Sequence, residues 1–357
     1  MFFVFSEKYE TPTSKSGGSF MIIVFINIGG EIMLKVLSLF SGIGAYEKAL
    51  NNLKIPYEII NYCELNPKKS KAYSLLHNIS EDKNLFDVKK INSNLLNDFD
   101  LLFYSPPCVN YSIAGKKEGL EGNSGKLFYD ALKIIEIKKP KIALMENVSN
   151  LVTNFNYVFQ DMLYQLEKRG YNNYWKIINA KDYIPQNRNR VFLLSIRKDC
   201  DNLEFNFPKH NNNENWFDFI NPFETRKLTK NQEKYINLSK INPSSIKIEG
   251  NIDFEKSVIT LRKSGLRFQS NREHPTITAY YGNGGGNFTI LSYKNHIGGI
   301  TPRQCFKLMG FDYEDCDLLE RNGFKTSSLY IMAGDSVVVP IIEDILLELI
   351  NIKILPN

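Results

Sequence analysis

The sequence has few of the side chains that hold metal ions or build disulfide frameworks. It contains four histidines, none of them paired at metal-ligand spacing, and five cysteines, none in a Cys-x-x-Cys arrangement. An odd number of scattered cysteines argues against a disulfide-stapled fold and against a structural zinc site, and it is typical of the reducing cytoplasm. We therefore expect a cytoplasmic protein that uses no metal.

Long hydrophobic runs are also missing. No uninterrupted apolar stretch reaches the roughly 18 residues that a membrane-spanning helix needs, so we predict no membrane association. Hydrophobic residues make up 43% of the chain and charged residues 23%, a balance that excludes a disordered or fibrous protein. At 357 residues the chain is long enough for two lobes.

Positive charge is concentrated in one part of the chain. The net charge is +5, and residues 181–300 hold 18 Lys and Arg against 12 Asp and Glu. A basic segment beside a nearly neutral remainder is typical of a module that contacts nucleic-acid phosphates. The alternative is an ordinary lysine-rich surface in contact with solvent.

The N-terminal extension, residues 1–32, differs from the rest of the chain. It mixes aromatic and polar residues without a period, and its apolar run at 20–27 is too short to span a bilayer. The segment could be a disordered tail or an added strand. We favour a misassigned start codon with a native start at Met33, because the codons of residues 29–31 permit a purine-rich ribosome-binding site just upstream.

From residue 35 onward, apolar stretches of strand length alternate with stretches of helical periodicity. The predicted strands are 35–40, 57–62, 100–104, 141–145 and 191–196, and the predicted helices are 45–53, 66–76, 127–138 and 157–169. This alternation predicts βαβ units and a doubly wound, parallel α/β sheet. After about residue 198 we expect a second lobe of short irregular strands, then a helix at 302–309. A strand followed by a helix over 336–350 should return the chain to the first lobe.

A glycine-rich turn connects the first predicted strand to the first helix, in the sequence Phe40-Ser-Gly42-Ile-Gly44. Glycines allow a sharp turn and a close approach of a ligand to exposed helix N–H groups. Glu64 follows 20 residues later, where an acidic residue accepts hydrogen bonds from ribose hydroxyls. The third glycine of the dinucleotide pattern is missing, which favours an adenosine-type ligand without a pyrophosphate over NAD. Asp87 could hold an adenine amino group, and the alternative is a turn or cap residue.

A second group of polar residues is predicted at the same edge of the sheet. Cys108 follows a buried strand and two prolines, which fix the backbone. Lone cysteines are usually inert core residues. Here, however, Glu146 ends the next strand, and Arg188 and Arg190 alternate so that both face one side of a later strand. A thiol, a carboxylate and two guanidinium groups around one cleft would suit covalent attack on an electron-poor heterocycle.

In their order and spacing these motifs resemble the C5-cytosine DNA methyltransferase family of bacterial or phage restriction–modification systems. The matching segments are LFSGIG (39–44), SPPC (105–108), SIAGKKEG (112–119), GKLFYDAL (125–132), KKPKIALMENV (138–148), QNRNR (186–190), TPRQCFKLMGF (301–311) and GDSVVVP (334–340). The resemblance implies an α/β, Rossmann-like sheet of the S-adenosylmethionine-dependent methyltransferases with a smaller, irregular target-recognition lobe. It places the catalytic and cofactor-binding domain at 33–198, the recognition lobe at 199–325 and a C-terminal segment returning to the catalytic domain at 326–357.

The resemblance also implies catalytic roles. Cys108 would be the thiolate that attacks C6 of cytosine, and Glu146 would hydrogen-bond N3 and the amino group of the base. Arg190 would support the base and the carboxylate, with Arg188 nearby or on a phosphate. Because the target base lies inside a duplex, it would have to be flipped out.

The implied cofactor is S-adenosyl-L-methionine, with S-adenosyl-L-homocysteine as product and no metal. The residues that would line its pocket are Phe40, Gly42, Gly44, Glu64, Asp87, Pro107, Leu127 and Asp335. The implied partner is double-stranded DNA. A cognate restriction endonuclease encoded nearby is a candidate partner, and we expect a monomer.

Three positions depart from the family pattern. Val109 stands where the family usually has a Gln that helps to fill the gap left by the flipped base, so gap filling must come from elsewhere. Asp335 replaces the Asn of a GNSV-like motif, and its negative charge would either weaken cofactor binding or meet the ammonium group of the cofactor. Thr276-Ile277 stands in for the usual Thr-Leu pair, which is a conservative change.

Two other functions remain open at this point. The first is a tRNA cytosine-5 methyltransferase of the same fold, although a second lobe of roughly 100 residues is larger than an RNA enzyme would need. The second is a catalytically silent DNA-binding module, against which the intact Cys108, Glu146, Arg188 and Arg190 argue. The recognition sequence depends on loops and on the shape of bound DNA, which the amino-acid sequence does not specify.

Overall fold

The computed structural model describes residues 33–107, 125–201, 204–249, 253–262, 265–269, 272–279, 281 and 288–355. The strands of that part of the chain are β1 (Leu34–Leu39), β2 (Tyr57–Cys63), β3 (Leu101–Tyr104), β4 (Ile142–Val148), β5 (Tyr171–Asn179), β6 (Gln186–Asn187), β7 (Asn189–Arg197), β8 (Ile248–Glu249), β9 (Lys256–Arg262), β10 (Gly265–Gln269), β11 (His274–Pro275), β12 (Thr289–Tyr293) and β13 (His296–Gly299). The helices are α1 (Ala45–Asn52), α2 (Pro67–His77), α3 (Gly125–Lys138), α4 (Asn150–Thr153), α5 (Asn156–Lys168), α6 (Trp216–Phe219), α7 (Lys230–Ile241), α8 (Pro302–Lys307), α9 (Tyr313–Arg321), α10 (Thr326–Asp335) and α11 (Val339–Asn351). The expectation about the start codon concerns residues outside these ranges and stays a prediction.

Six strands form the central sheet in the order β2-β1-β3-β4-β7-β5. Strands β1 to β4 pair in parallel, whereas β7 runs antiparallel to both of its neighbours. The α/β class is therefore confirmed, but the sheet is mixed rather than wholly parallel. Strand β5 was not predicted, because this edge strand has the polar sequence YNNYWKIIN and stays half-buried along most of its length.

Helices cover both faces of this sheet, as a doubly wound fold requires. Adjacent residues of β3 show the two layers, since side chains alternate along a strand. The ring of Phe103 stacks on Tyr46 of α1 at 4.4 Å between centroids, whereas Tyr104 faces Phe128 of α3 on the other side. Helices α2 and α11 lie on the α1 side, and α5 lies on the α3 side.

A second sheet of five strands has the order β13-β12-β9-β10-β8. One of its faces is apolar and includes Ile259 of β9 and Phe268 of β10, which lie opposite each other. This face belongs to the same hydrophobic cluster as the α1 side of the central sheet. A short parallel pair between β6 and β11 forms a separate, two-stranded sheet.

The C-terminal part is helical. Helix α8 confirms the helix expected from residue 302, and it begins at a Thr301 capping box followed by Pro302. The strand expected from residue 336 is wrong. Within the described chain, residues 336–338 only connect α10 to α11, and Pro340 lies in the first turn of α11, where proline favours a helix start.

Candidate active site

A cavity of about 410 Å³ opens where the parallel strands of the central sheet end. Ligands bind at this edge in open α/β sheets, because the connecting loops diverge there. Ten of the residues predicted from the sequence line it: Phe40, Gly42, Glu64, Asp87, Pro107, Leu127, Glu146, Arg188, Arg190 and Asp335. Gly44 instead lies at the N-terminus of α1, and Cys108 and Val109 lie outside the described residues.

The glycine loop that follows β1 has an unusual backbone. Phe40, Gly42 and Gly44 all have positive φ, at 56°, 58° and 79°. A Cβ atom on Gly44 would overlap the imidazole ring of His77, so the position requires glycine for space as well as for conformation. The ring nitrogen Nε2 of His77 donates a 2.9 Å hydrogen bond to the carbonyl oxygen of Ile43, which stabilises the loop.

Glu64 is fixed at the tip of β2 by backbone groups. Its carboxylate accepts hydrogen bonds from the N–H groups of Gly42 (2.9 Å) and Asn66 (2.8 Å). The buried side chain of Asn84 bonds both the N–H and the carbonyl of Glu64 at 3.0 Å. Burial raises the pKa of Glu64, and this rise is opposed by the hydrogen bonds from Asn66 and Gly42 and by the charge of Lys69. Each carboxylate oxygen keeps a lone pair beyond these bonds, and Glu64 lines the cavity.

Two apolar side chains at the cavity were not singled out from the sequence. Leu65 is 70% exposed and Phe86 is 55% exposed, although both line the cavity. Exposed apolar side chains at a concave site commonly cover the flat face of a ligand. The signal available in the sequence was their adjacency to Glu64 and Asp87.

Asp335 has a partner that the sequence did not reveal. Its carboxylate lies 2.7 Å from Nζ of Lys69, and both side chains line the cavity. The charge that departs from the family pattern is therefore balanced within the chain. Asp87 accepts a hydrogen bond from the N–H of Lys89 at 3.1 Å, which is the capping role weighed above, while it also lines the cavity.

Glu146 is a second buried carboxylate that lines the cavity. The residue is only 8% exposed, and its carboxylate lies 3.0 Å from Nε of Arg190. Burial raises the pKa of Glu146, and the positive charges of Arg190 and Arg188 oppose that rise. Glu146, Arg188 and Arg190 therefore line one cavity, as the sequence predicted.

The segment leading to Cys108 is held beside Glu146. The amide of Asn147 donates a 3.1 Å hydrogen bond to the carbonyl of Pro106. The hydroxyl of Ser105 lies 2.9 Å from that of Tyr46. These two contacts fix the end of β3 against β4 and α1, immediately before Cys108.

Of the two alternatives for Arg188, near the carboxylate or on a phosphate, its place in the cavity wall favours the first. It is only 3% exposed, and its guanidinium donates to the carbonyls of Ile277 (2.8 Å), Ser336 (2.8 Å) and Gly334 (3.3 Å). The N–H of Ile277 in turn donates a 3.0 Å hydrogen bond to Oε1 of Gln186. Arg188 therefore connects the central sheet to two segments that are distant in the sequence.

Solved structures define the fold class. The Dnmt2 methyltransferase of S. pombe matches with a TM-score of 0.62 at 18% identity, over 90% of this chain and 99% of that one. The Entamoeba histolytica methyltransferase EhMeth matches with a TM-score of 0.65 at 18% identity, over 89% and 98%. At this identity the likeness shows that the chain shares the fold of these two proteins.

Sequence comparisons identify the family. The family model described as C-5 cytosine-specific DNA methylase matches residues 34–351. The type II methyltransferase M.Bsp6I of Bacillus sp. (strain RFL6) is 31% identical over 332 residues, 88% of this chain and 97% of that protein. M.HhaI of Haemophilus parahaemolyticus is 28% identical over 328 residues, 87% and 92%. The chain belongs to the C-5 cytosine-specific DNA methylase family, so the expected enzyme class, DNA (cytosine-5-)-methyltransferase, is confirmed.

Two kinds of feature are absent from the described residues. Among them, no helix combines the length and the apolar character needed to cross a membrane. Over the same ranges, no three His, Cys, Asp or Glu side chains cluster as metal ligands would.

Proposed function

We propose that this chain transfers a methyl group from S-adenosylmethionine to C5 of a cytosine flipped out of a specific DNA duplex, through a transient bond between Cys108 and C6. One observation carries the proposal. Gly42 and Glu64 share a single cavity with Glu146 and Arg190, and the wall of that cavity includes Pro107, which directly precedes Cys108.

The cofactor fits the residues on one side of the cavity. The positive-φ glycine loop exposes backbone N–H groups, and Glu64 retains lone pairs for two ribose hydroxyls. Leu65 and Phe86 would cover the adenine ring, and Asp87 would accept from its amino group. When bound, S-adenosylmethionine supplies the electrophilic methyl group. Lys69 and Asp335 would lie at the methionine end, with charges opposite to its carboxylate and ammonium groups.

Glu146 and Arg190 would hold the flipped base. Attack by the Cys108 thiolate on C6 moves an electron pair of the ring toward C5, and a proton shared between Glu146 and N3 neutralises the charge that develops. Burial raises the pKa of Glu146, which favours the protonated carboxyl group that this step uses. The C5 carbon takes the methyl group, and loss of the C5 proton then lets the C6–sulfur bond break. Arg190 fixes the carboxylate throughout.

A fluorine at C5 tests the covalent step, because it cannot leave as a proton. A duplex with 5-fluorocytosine at the target, together with S-adenosylmethionine, should give an adduct that survives denaturing electrophoresis. Cys108→Ser should abolish it, since a serine hydroxyl does not ionise near neutral pH. Glu146→Gln should slow adduct formation by roughly 10²–10⁴-fold.

The other cysteines supply the control. Cys63, Cys305 and Cys316 are at most 2% exposed, and burial raises the pKa of each thiol. Cys200 is half-buried, so Cys200→Ser is the matched variant and should form the adduct normally. An adduct that persists in the Cys108→Ser protein would refute the assignment. An adduct formed with tRNA but not with DNA would point to the tRNA enzyme of the same fold.

We also propose that residues 199–325 recognise the DNA sequence and that a restriction endonuclease accompanies the enzyme. Support for the lobe comes from the five-stranded sheet, which lies outside the cofactor-binding sheet. Exchanging residues 200–300 for those of a relative should change the methylated sequence and spare cofactor binding. Loss of cofactor affinity in the exchange would place the lobe boundary elsewhere.

A further inference from the structure

A second cavity, of about 330 Å³, lies between the five-stranded sheet and the segment that follows β11. Its walls are polar. They include Thr260 of β9, Arg267 and Gln269 of β10, and Thr276 and Thr278 of the facing segment. Neither the cofactor nor the flipped cytosine needs these residues.

The strand β10 has two chemically different faces. Its sequence GLRFQ alternates, so Leu266 and Phe268 lie in the core at 2% and 4% exposure. Arg267 and Gln269 therefore lie on the opposite face. Arg267 is paired in register with Thr260, which faces the same cavity. The polar face that β9 and β10 share therefore forms part of the wall of the second cavity.

The cavity has hydrogen-bonding capacity that the described chain does not use. The buried atoms Oγ1 of Thr260, Oε1 of Gln269 and Oγ1 of Thr278 have no hydrogen-bond partner among the described residues. Thr260 is only 5% exposed. A buried polar group without a partner costs free energy, so three around one cavity indicate a site that a polar ligand completes.

This cavity adjoins the catalytic one. Asn187, which lines it, directly precedes Arg188 of the catalytic cavity. The hydroxyl of Thr276 donates to the carbonyl of Asn187 at 2.6 Å, and Arg188 bonds the carbonyl of Ile277, between Thr276 and Thr278. A duplex whose target cytosine enters the catalytic cavity would present neighbouring bases here.

We propose that Arg267 and Gln269 read base edges beside the target cytosine, with Arg267 on a guanine; this rests on the proposed function. The guanidinium fork matches O6 and N7 of guanine, and a Gln amide matches N7 and the amino group of adenine. A DNA phosphate could also attract Arg267. A half-buried site that combines an amide, threonine hydroxyls and a guanidinium favours the base edge, because it offers both donors and acceptors.

The test is a library of duplexes with randomised bases on both sides of one cytosine, methylated and then sequenced after bisulfite treatment. The wild type should require guanine at one position. Arg267→Ala and Arg267→Lys should both reduce that preference by roughly 10–100-fold and leave the other positions unchanged. Gln269→Ala should relax a second position. Lys234→Ala is the control, because Lys234 is exposed on α7 and its loss removes the same charge.

The outcomes separate the possibilities. Unchanged preference in Arg267→Ala overturns the proposal and would mean a phosphate contact, which carries no base information. Full retention in Arg267→Lys overturns recognition by the guanidinium fork. For a variant that methylates weakly, preference is measured instead as the ratio of its affinities for the preferred duplex and for a duplex changed at that position. Binding of S-adenosylmethionine then shows that the variant is folded. A wild type that methylates no duplex refutes the proposed function. A wild type that methylates without sequence preference refutes only the reading by Arg267 and Gln269.

Discussion

Replacing Gly44 by alanine separates two reasons for a glycine at the cofactor loop. The residue has φ of 79°, and a Cβ atom there would overlap the His77 ring. Gly42 (φ 58°) and Gly170 (φ 89°) have similar backbones, but a Cβ atom would meet nothing within 4 Å at either site. Alanine at Gly42 or Gly170 therefore serves as a control, because each of these substitutions has only the conformational cost.

We expect Gly42→Ala and Gly170→Ala to lower the free energy of unfolding by about 1 kcal/mol each, the cost of a left-handed backbone for an L-residue. Gly44→Ala should cost about 3–5 kcal/mol in total. Beyond the conformational cost, the increment reflects displacement of the half-buried His77 ring, about 1–3 kcal/mol, and weakening of its hydrogen bond to Ile43, about 1 kcal/mol.

Urea unfolding of the ligand-free protein measures these differences, and a double-mutant cycle isolates the overlap. In a His77→Ala background, the cost of Gly44→Ala should fall back to about 1 kcal/mol, since the ring is gone. The reasoning is wrong if Gly44→Ala costs no more than Gly42→Ala, or if the cost is the same with and without His77.

Three further perturbations follow from the same geometry. Arg188→Met leaves three carbonyls without their donor and should lower the free energy of unfolding by about 2–4 kcal/mol in urea; a change below about 1 kcal/mol would contradict the joining role. Asp335→Asn removes an ion pair with Lys69 whose carboxylate is 41% exposed, so stability should change by less than about 1 kcal/mol, and the difference should shrink at high salt. Burial lowers the pKa of His274 from 6.5 to about 4, so the unfolded chain takes up this proton first. Stability should therefore be complete above pH 6.5 and fall by up to about 3 kcal/mol toward pH 4; a His274→Gln variant with an equally steep loss would refute this.

The sequence predicted the central sheet well where periodicity is strong. Strands β1 to β4 and helices α1, α2, α3 and α5 begin and end within a few residues of the predicted bounds, because each has a continuous apolar stretch or a one-sided apolar face. The direction of β7 depends on its connection to β5, an edge strand whose polar pattern gives little signal. Local pattern therefore determined the elements but not how all of them pair.

The candidate site divides in the same way. Glu64 and Glu146 were predicted because each follows or ends a recognisable strand. The Lys69–Asp335 ion pair joins residues 266 positions apart, and the carbonyl partners of Arg188 lie 89 to 148 positions away. Contacts between such distant residues depend on the assembled fold, so a single sequence without its tertiary structure does not predict them.

The bonds from Gln186 and Arg188 have a consequence for how specificity can change. At Ile277, within the proposed recognition lobe, both partners are main-chain atoms: the N–H that Gln186 accepts from and the carbonyl to which Arg188 donates. Every residue offers a carbonyl, and every residue except proline offers an N–H. The side chain at this point of contact can therefore change without removing either bond. An ancestral enzyme of this construction could acquire new target sequences by substitution or by exchange of gene segments while its chemistry stays constant.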